Sequence, residues 1–167
     1  LESIETTGRE ALTQMRHMLG ALRAEDDEAA EIFPQPGLDQ LAELKTQADR
    51  AGLRTELQVT GNVRAIPTAT ALSAFRIAQE STTNVIKHAS AGKLWISVDY
   101  QDETVILDIA DDGVGIPVDS ERTQGHGLIG MSERVDLLSG QLRIGSRPEG
   151  GTLVHAELPI GASTEDP

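Results

Sequence analysis

Residues 93–110 read KLWISVDYQDETVILDIA. Two apolar, β-branched runs, 93–100 and 104–110, flank the short polar stretch Gln101-Asp102-Glu103. That is the pattern of two strands joined by a tight turn. Further on, 141–146 and 152–158 repeat it around Arg147-Pro148-Glu149-Gly150-Gly151. Upstream, the alternation of Leu53, Thr55, Leu57 and Val59 predicts a fifth strand, ending near Thr60-Gly61-Asn62. Four of five strands thus sit in hairpins, so the sheet is mixed or largely antiparallel. A doubly wound parallel sheet would need a helix between successive strands.

Three helices accompany these strands. Leu38, Leu41, Leu44 and Ala48 have helical spacing, with Gly52 as the stop. Pro67 suits the first helical position of the longest helix, whose apolar face is Leu72, Phe75, Ala78, Thr82, Val85, Ile86 and Ala89. Leu128–Leu138 form the third, stopped by Gly140. The expected fold class is α/β (α+β). It is a two-layer sandwich, with a mixed, mostly antiparallel sheet of about five strands and about three helices on one face, plus an N-terminal helix.

That N-terminal helix is predicted over 3–24, where Ile4, Gly8, Ala11, Met15, Met18 and Leu22 alternate four and three apart. It either packs on its own domain or is the cut end of a bundle. The acidic, proline-bearing stretch AEDDEAAEIFPQPG (24–37) reads as a linker. The chain starts at Leu1 rather than Met, as expected of a piece of a longer protein.

Apolar residues make up 38% of the 167, enough for one core, but aromatics only 2%, so that core is aliphatic. A net charge of −13 argues against non-specific binding to nucleic acid, where Lys and Arg must neutralise phosphates. It does not exclude a nucleotide, which needs only local cations. The chain has no cysteine, which rules out thiolate metal sites, and no apolar run near the ~20 residues that span a bilayer.

Four stretches carry candidate chemistry. In the long helix each residue turns ~100°, which places Glu80, Asn84, Lys87 and His88 on one polar strip. By itself such a strip reads as a solvated face with a Glu–Lys pair, although Asn and Thr are poor helix formers. DDGVGIP (111–117) follows the apolar strand. Asp111 sits at its exit and needs donors, and an exocyclic amine is one. Gly113 and Gly115 lack side chains, so a flat ring could approach the backbone. GHGLIGM (125–131) brings glycines 125, 127 and 130 to a helix start, where free N–H groups can bind phosphate. Finally, Gly150-Gly151-Thr152 turns into the last strand.

Taken in order, the four resemble the nucleotide-binding boxes of the ATPase superfamily of histidine kinases, gyrase-type topoisomerases, MutL proteins and the ninety-kilodalton heat-shock chaperone. QESTTNVIKHA resembles the asparagine box; DDGVGI, GHGLIGM and GGT resemble the three glycine boxes. Within that superfamily the motifs look most like sensor histidine kinases of the nitrate-sensor and desaturase-thermosensor type. The resemblance implies the following roles. Asp111 accepts from the adenine amine, supported by Thr152. Gly113 and Gly115 admit the base. Asn84 binds Mg2+, and Lys87 and His88 face the phosphates. Val118–Gly127 form a lid, and Gly125, His126, Gly127, Leu128 and Gly130 contact ATP. Glu80 matches the acidic residue of the asparagine box, and the resemblance makes Glu80 and Asn84 the expected catalytic residues.

The implied organisation is 1–24, the end of a dimerisation helix; 25–37, a linker; 38–160, the ATP-binding domain; and 161–167, a tail. None of the four histidines, His17, His88, His126 and His155, fits the acceptor pattern of a helical histidine followed by an acid. The chain is therefore expected to bind ATP without phosphorylating itself. The implied reaction passes the γ-phosphoryl group to a histidine outside this chain and then to a response regulator. The intact protein would be a homodimer in the cytoplasm, anchored upstream if at all, and the isolated piece is not expected to dimerise. A serine kinase of the anti-sigma type, another ATPase of the superfamily and a non-enzymatic interaction domain are the alternatives. A heptad helix ahead of the nucleotide boxes favours the histidine kinase over the first. The compact lid and early end argue against the second, and retention of Asn84, Asp111 and the glycines against the third.

Overall fold

The computed structural model describes residues 36–116 and 126–161. The expected N-terminal helix, most of the linker, most of the lid with Gly125, and the tail lie outside the described residues. A 3-10 turn, Leu38–Gln40, leads into α1 (Leu41–Arg50), and then β1 (Arg54–Gly61). Next come α2 (Thr68–Asn84), β2 (Lys93–Tyr100) and β3 (Thr104–Asp111). The last elements are α3 (His126–Leu137), β4 (Gln141–Ser146) and β5 (Thr152–Pro159). The sheet order is β1-β2-β3-β5-β4, with β1 and β2 parallel and every other pair antiparallel. The expected mixed sheet and its two hairpins are present.

Period-two alternation decides which face holds the core. Leu94, Ile96, Val98 and Tyr100 of β2 point inward, as do Val105, Leu107 and Ile109 of β3 and Val154, Ala156 and Leu158 of β5. They meet Ala74, Phe75, Ile77 and Ala78 of α2 and Met131 and Val135 of α3. Each fully buried Leu or Ile contributes about 1.5–3 kcal/mol, so these strands are a firm base for whatever sits at their ends. The next inward position of β3 after Ile109 is Asp111. The alternation that buries three aliphatic side chains therefore also delivers a carboxylate to the helix side of the sheet.

Several boundaries and faces differ from the sequence expectation. Pro67 is extended (ψ 135°), so it precedes the helix and Thr68 is the first helical residue. Leu72 is only half-buried, and Ile86 is exposed. The latter follows from the end of α2, where Val85–Ala89 (VIKHA) form a π turn, wider than the α-helix. Positions assigned by a 100° step therefore shift past Asn84. Ser90 (φ 50°) closes the turn in the left-handed region. After α3 it is Ser139 (φ 56°), not Gly140, that turns left-handed. Gly140 is small for another reason: a Cβ there would come within 2.6 Å of the Glu157 carbonyl oxygen. The described residues belong to one unit beginning at Pro36, and no helix among them is long and apolar enough to cross a membrane.

Candidate functional site

A cleft of about 350 Å3 opens between the end of α2, the start of α3, and the adjoining ends of β3 and β5. Val85, Ile109, Leu128, Met131 and Val154 make its apolar wall. Ser81, Asn84, His88, Asp111 and Thr152 are the polar groups set into it.

Asp111 is 2% exposed. Its Oδ1 accepts from the Gly113 N–H at 2.7 Å and its Oδ2 from the Thr152 N–H at 3.2 Å. These charge-assisted bonds offset the cost of burying a carboxylate. An ionised carboxylate has about four acceptor sites, so capacity remains for a donor inside the cleft. Thr152 is joined to Asp111 through its main-chain amide, not its hydroxyl. The second carboxylate of the pair does different work. Asp112 is exposed, and its Oδ1 accepts from the Gly92 and Lys93 N–H groups, both at 2.8 Å. The Lys93 amide first, and the Gly92 amide with it, hold the Asp112 carboxyl below the ordinary value of 3.8. One aspartate thus faces the cleft, and the other fastens the start of β2.

The glycines divide in the same way. A Cβ on Gly113 would overlap the Ala89 carbonyl oxygen, which also accepts from the Val114 N–H at 2.9 Å. Gly113 therefore lets the strand exit pass against the π turn, and it is Gly115 (φ 76°) that lines the cleft. Gly151 (φ 84°) crosses the Asp111 carbonyl so closely that any side chain would strike it. Gly127 lies under the Glu80 carboxylate, where a Cβ would overlap Oε1. Gly130 packs beside Arg134, whose Nη1 donates to the Gly130 oxygen at 2.8 Å, and does not line the cleft.

The polar strip of the long helix does not stay together. Asn84 and His88 line the cleft, Lys87 is exposed and outside its lining, and Glu80 rests on the first turn of α3. His126 opens α3, and Leu128 is in the apolar wall. Two further residues have no local signal in the sequence. Arg147 Nη1 donates to the Asp111 main-chain oxygen at 2.8 Å, its guanidinium lies 5.2 Å from the Trp95 ring centroid, and Glu149 is 3.7 Å away. Ser81 is buried in the cleft wall, its Oγ 3.6 Å from Met131 Sδ.

A family model described as histidine kinase-, DNA gyrase B-, and HSP90-like ATPase matches residues 69–162. The chain belongs to this family. Membership makes the domain an ATP-binding one, and the cleft fits. A buried acceptor, Asp111, faces a largely apolar cleft of about 350 Å3, with an amide, Asn84, and an imidazole, His88, also in its lining. Among the described residues no group of three His, Asp or Glu could hold a metal ion alone.

This ATPase-family domain is 30% identical over 159 residues to the nitrate/nitrite sensor protein NarX of Escherichia coli K12, covering 92% of the chain and 27% of NarX. It is 31% identical over 157 residues to the sensor histidine kinase LnrJ of Bacillus subtilis, covering 93% of the chain and 37% of LnrJ. The chain therefore spans between about a quarter and two fifths of the length of these relatives. Among solved structures, the Acinetobacter baumannii histidine kinase AdeS superposes with a TM-score of 0.62 at 20% identity, covering 89% of this chain and 80% of that one. Full-length ShkA in complex with AMPPNP gives 0.59 at 23% identity, covering 75% and 30%. These two share the fold.

Proposed function

We propose that this chain is the ATP-binding catalytic domain of a two-component sensor histidine kinase. Its reaction is transfer of the γ-phosphoryl group of ATP to an imidazole nitrogen on a histidine outside this chain. A response-regulator aspartate is the next acceptor. The observation that carries the reading is the buried Asp111 carboxylate, oriented by two main-chain donors at the inner end of an apolar cleft. The names of the relatives matched over nine tenths of the chain support the choice of reaction.

In this reading Asp111 accepts from the adenine amine, and Gly115, Leu128 and Thr152 border the base. Asn84 and His88 serve the phosphate end, with Lys87 reaching it from outside. Gly125, His126, Gly127 and Gly130 belong to the lid and the helix start behind it, and Gly113 shapes the exit of β3. Glu80, whose carboxylate lies over Gly127, is assigned to the phosphate end as well. Mg2+, held by Asn84 together with phosphate oxygens, would neutralise charge on the transferring group. The protein's own contribution is positioning. Residues 1–24 belong to a dimerisation helix, 25–37 to a linker, 38–160 to this domain and 161–167 to a tail. The partners are a second copy of the intact protein and a response regulator, in the cytoplasm.

Calorimetric titration with ATP and Mg2+, beside Asp111→Asn and a GTP control, tests the reading. Micromolar ATP binding, weak GTP binding and loss in the variant are the expected results. A folded chain that binds no ATP would overturn it.

A further inference from the structure

Two polar side chains of the cleft are almost fully buried: Asp111, 2% exposed, and Ser81, 3% exposed. They differ in what they can offer. Ionised, Asp111 only accepts hydrogen bonds, whereas the Ser81 hydroxyl has a proton to donate and two lone pairs. Helical Ser and Thr commonly spend that proton on the carbonyl four residues back. Thr83 does so, donating to the Gln79 oxygen at 2.8 Å, and Thr46 donates to the Ala42 oxygen at 2.9 Å. Ser81 does not. Its Oγ turns towards α3, and its partner among the described residues is Met131 Sδ at 3.6 Å. A thioether is a weak acceptor. Burying a hydroxyl on so weak a partner leaves much of its desolvation cost unmet. Both Ser81 and Met131 line the cleft, so a molecule that enters it can offer Ser81 a stronger acceptor than the thioether.

The chemistry of that acceptor follows from Asp111. An acceptor-only carboxylate demands a donor, such as an exocyclic amine. Adenine carries ring-nitrogen acceptors beside its amine, N7 on one edge and N1 on the other. Guanine instead places a carbonyl oxygen where the amine would be, against the carboxylate. We propose that Ser81 is a second base-reading residue. Its hydroxyl donates, directly or through one ordered water, to a ring nitrogen flanking the amine that Asp111 accepts. The proposal rests on the nucleotide reading above and adds a specificity-determining residue to it.

The test titrates ATP, 1-deaza-ATP and 7-deaza-ATP into the wild-type chain, Ser81→Ala and Met131→Leu, with thermal melts to confirm folding. Loss of one neutral hydrogen bond corresponds to about threefold to tenfold in affinity. Wild type should bind one deaza analogue weaker than ATP by about that factor. Ser81→Ala should bind ATP weaker by a similar factor and no longer distinguish that analogue. Met131→Leu, which removes the sulfur but keeps the hydroxyl, should retain the distinction. The inference is overturned if Ser81→Ala binds ATP like wild type, or weakens ATP and both analogues equally, as a packing role would. It is equally overturned if Met131→Leu abolishes the distinction. A folded wild-type chain that binds none of the three overturns the nucleotide reading itself.

Discussion

Arg147 Nη1 donates to the Asp111 main-chain oxygen at 2.8 Å, just where the β3–β5 ladder has stopped. The last paired residues of that ladder are Ala110 and Leu153. Beyond them the chain turns through Gly150 and Gly151, both with positive φ, and offers no strand partner. The guanidinium takes over that bond and stacks on Trp95 at 5.2 Å. One side chain thus joins the β4–β5 turn, the residue that faces the cleft and the outer surface of the sheet.

Arg147→Ala should therefore loosen Asp111 without touching the cleft. A bond to a charged donor is worth about 1.5–3 kcal/mol when buried, and partial exposure here lowers that to about 1 kcal/mol, or about fivefold in ATP affinity. Arg147→Lys should recover only part, because an ammonium lacks the planar fork that bonds and stacks together. Trp95, the chain's one tryptophan, reports the change directly through its emission. ATP affinity within twofold of wild type in Arg147→Ala would remove the positioning role.

Asp111→Asn tests the two main-chain donors. The amide keeps one acceptor oxygen but turns an NH2 towards either the Gly113 or the Thr152 N–H. Leaving one buried donor unmet costs about 1–3 kcal/mol, so the urea midpoint should fall even without nucleotide. An unchanged midpoint would mean that these bonds contribute nothing to the fold.

Gly113→Ala and Gly127→Ala are the same substitution in two different settings. At Gly113 the new methyl meets the Ala89 carbonyl, which is backbone and cannot step aside. At Gly127 it meets the end of the Glu80 side chain, which can rotate away. Gly113→Ala should lose about 2–4 kcal/mol of stability and Gly127→Ala less than about 1 kcal/mol. Equal losses of stability in the two variants would contradict this account.

Much of the fold was legible because strands and helices announce themselves by period. The alternation of Val105, Leu107 and Ile109 even indicates which way Asp111 points. The polar strip was less legible. A fixed 100° step cannot foresee a π turn, and of that turn's exposed residues Ile86, Lys87 and His88 only the last lines the cleft. Arg147 was invisible for a different reason. Its partner is 36 residues away, and no local pattern marks a side chain that completes a ladder. The glycines of the boxes were found by spacing, but spacing does not tell a close backbone crossing, as at Gly113 and Gly151, from contact with a ligand.

Asp112 gives the acid dependence of this region. The Lys93 and Gly92 amides hold its carboxyl below 3.8 in the folded chain. Asp49 is held down likewise, first by the Lys45 ammonium at 2.6 Å and then by the Thr55 amide, and Asp99 first by the Thr60 hydroxyl. A carboxyl whose folded pKa is depressed binds its proton less readily folded than unfolded. Its contribution is therefore complete above the unfolded value, about 3.9, and is lost as the pH falls through the folded value. In Asp112→Asn the neutral oxygen still accepts from both amides, so the loop keeps its shape while one titrating group disappears. Urea midpoints followed from about pH 5 downward should decline less steeply in the variant than in wild type below about pH 4, with parallel curves above it. Curves that stay parallel through the acid range would mean that the Gly92 and Lys93 amides do not favour the ionised carboxylate.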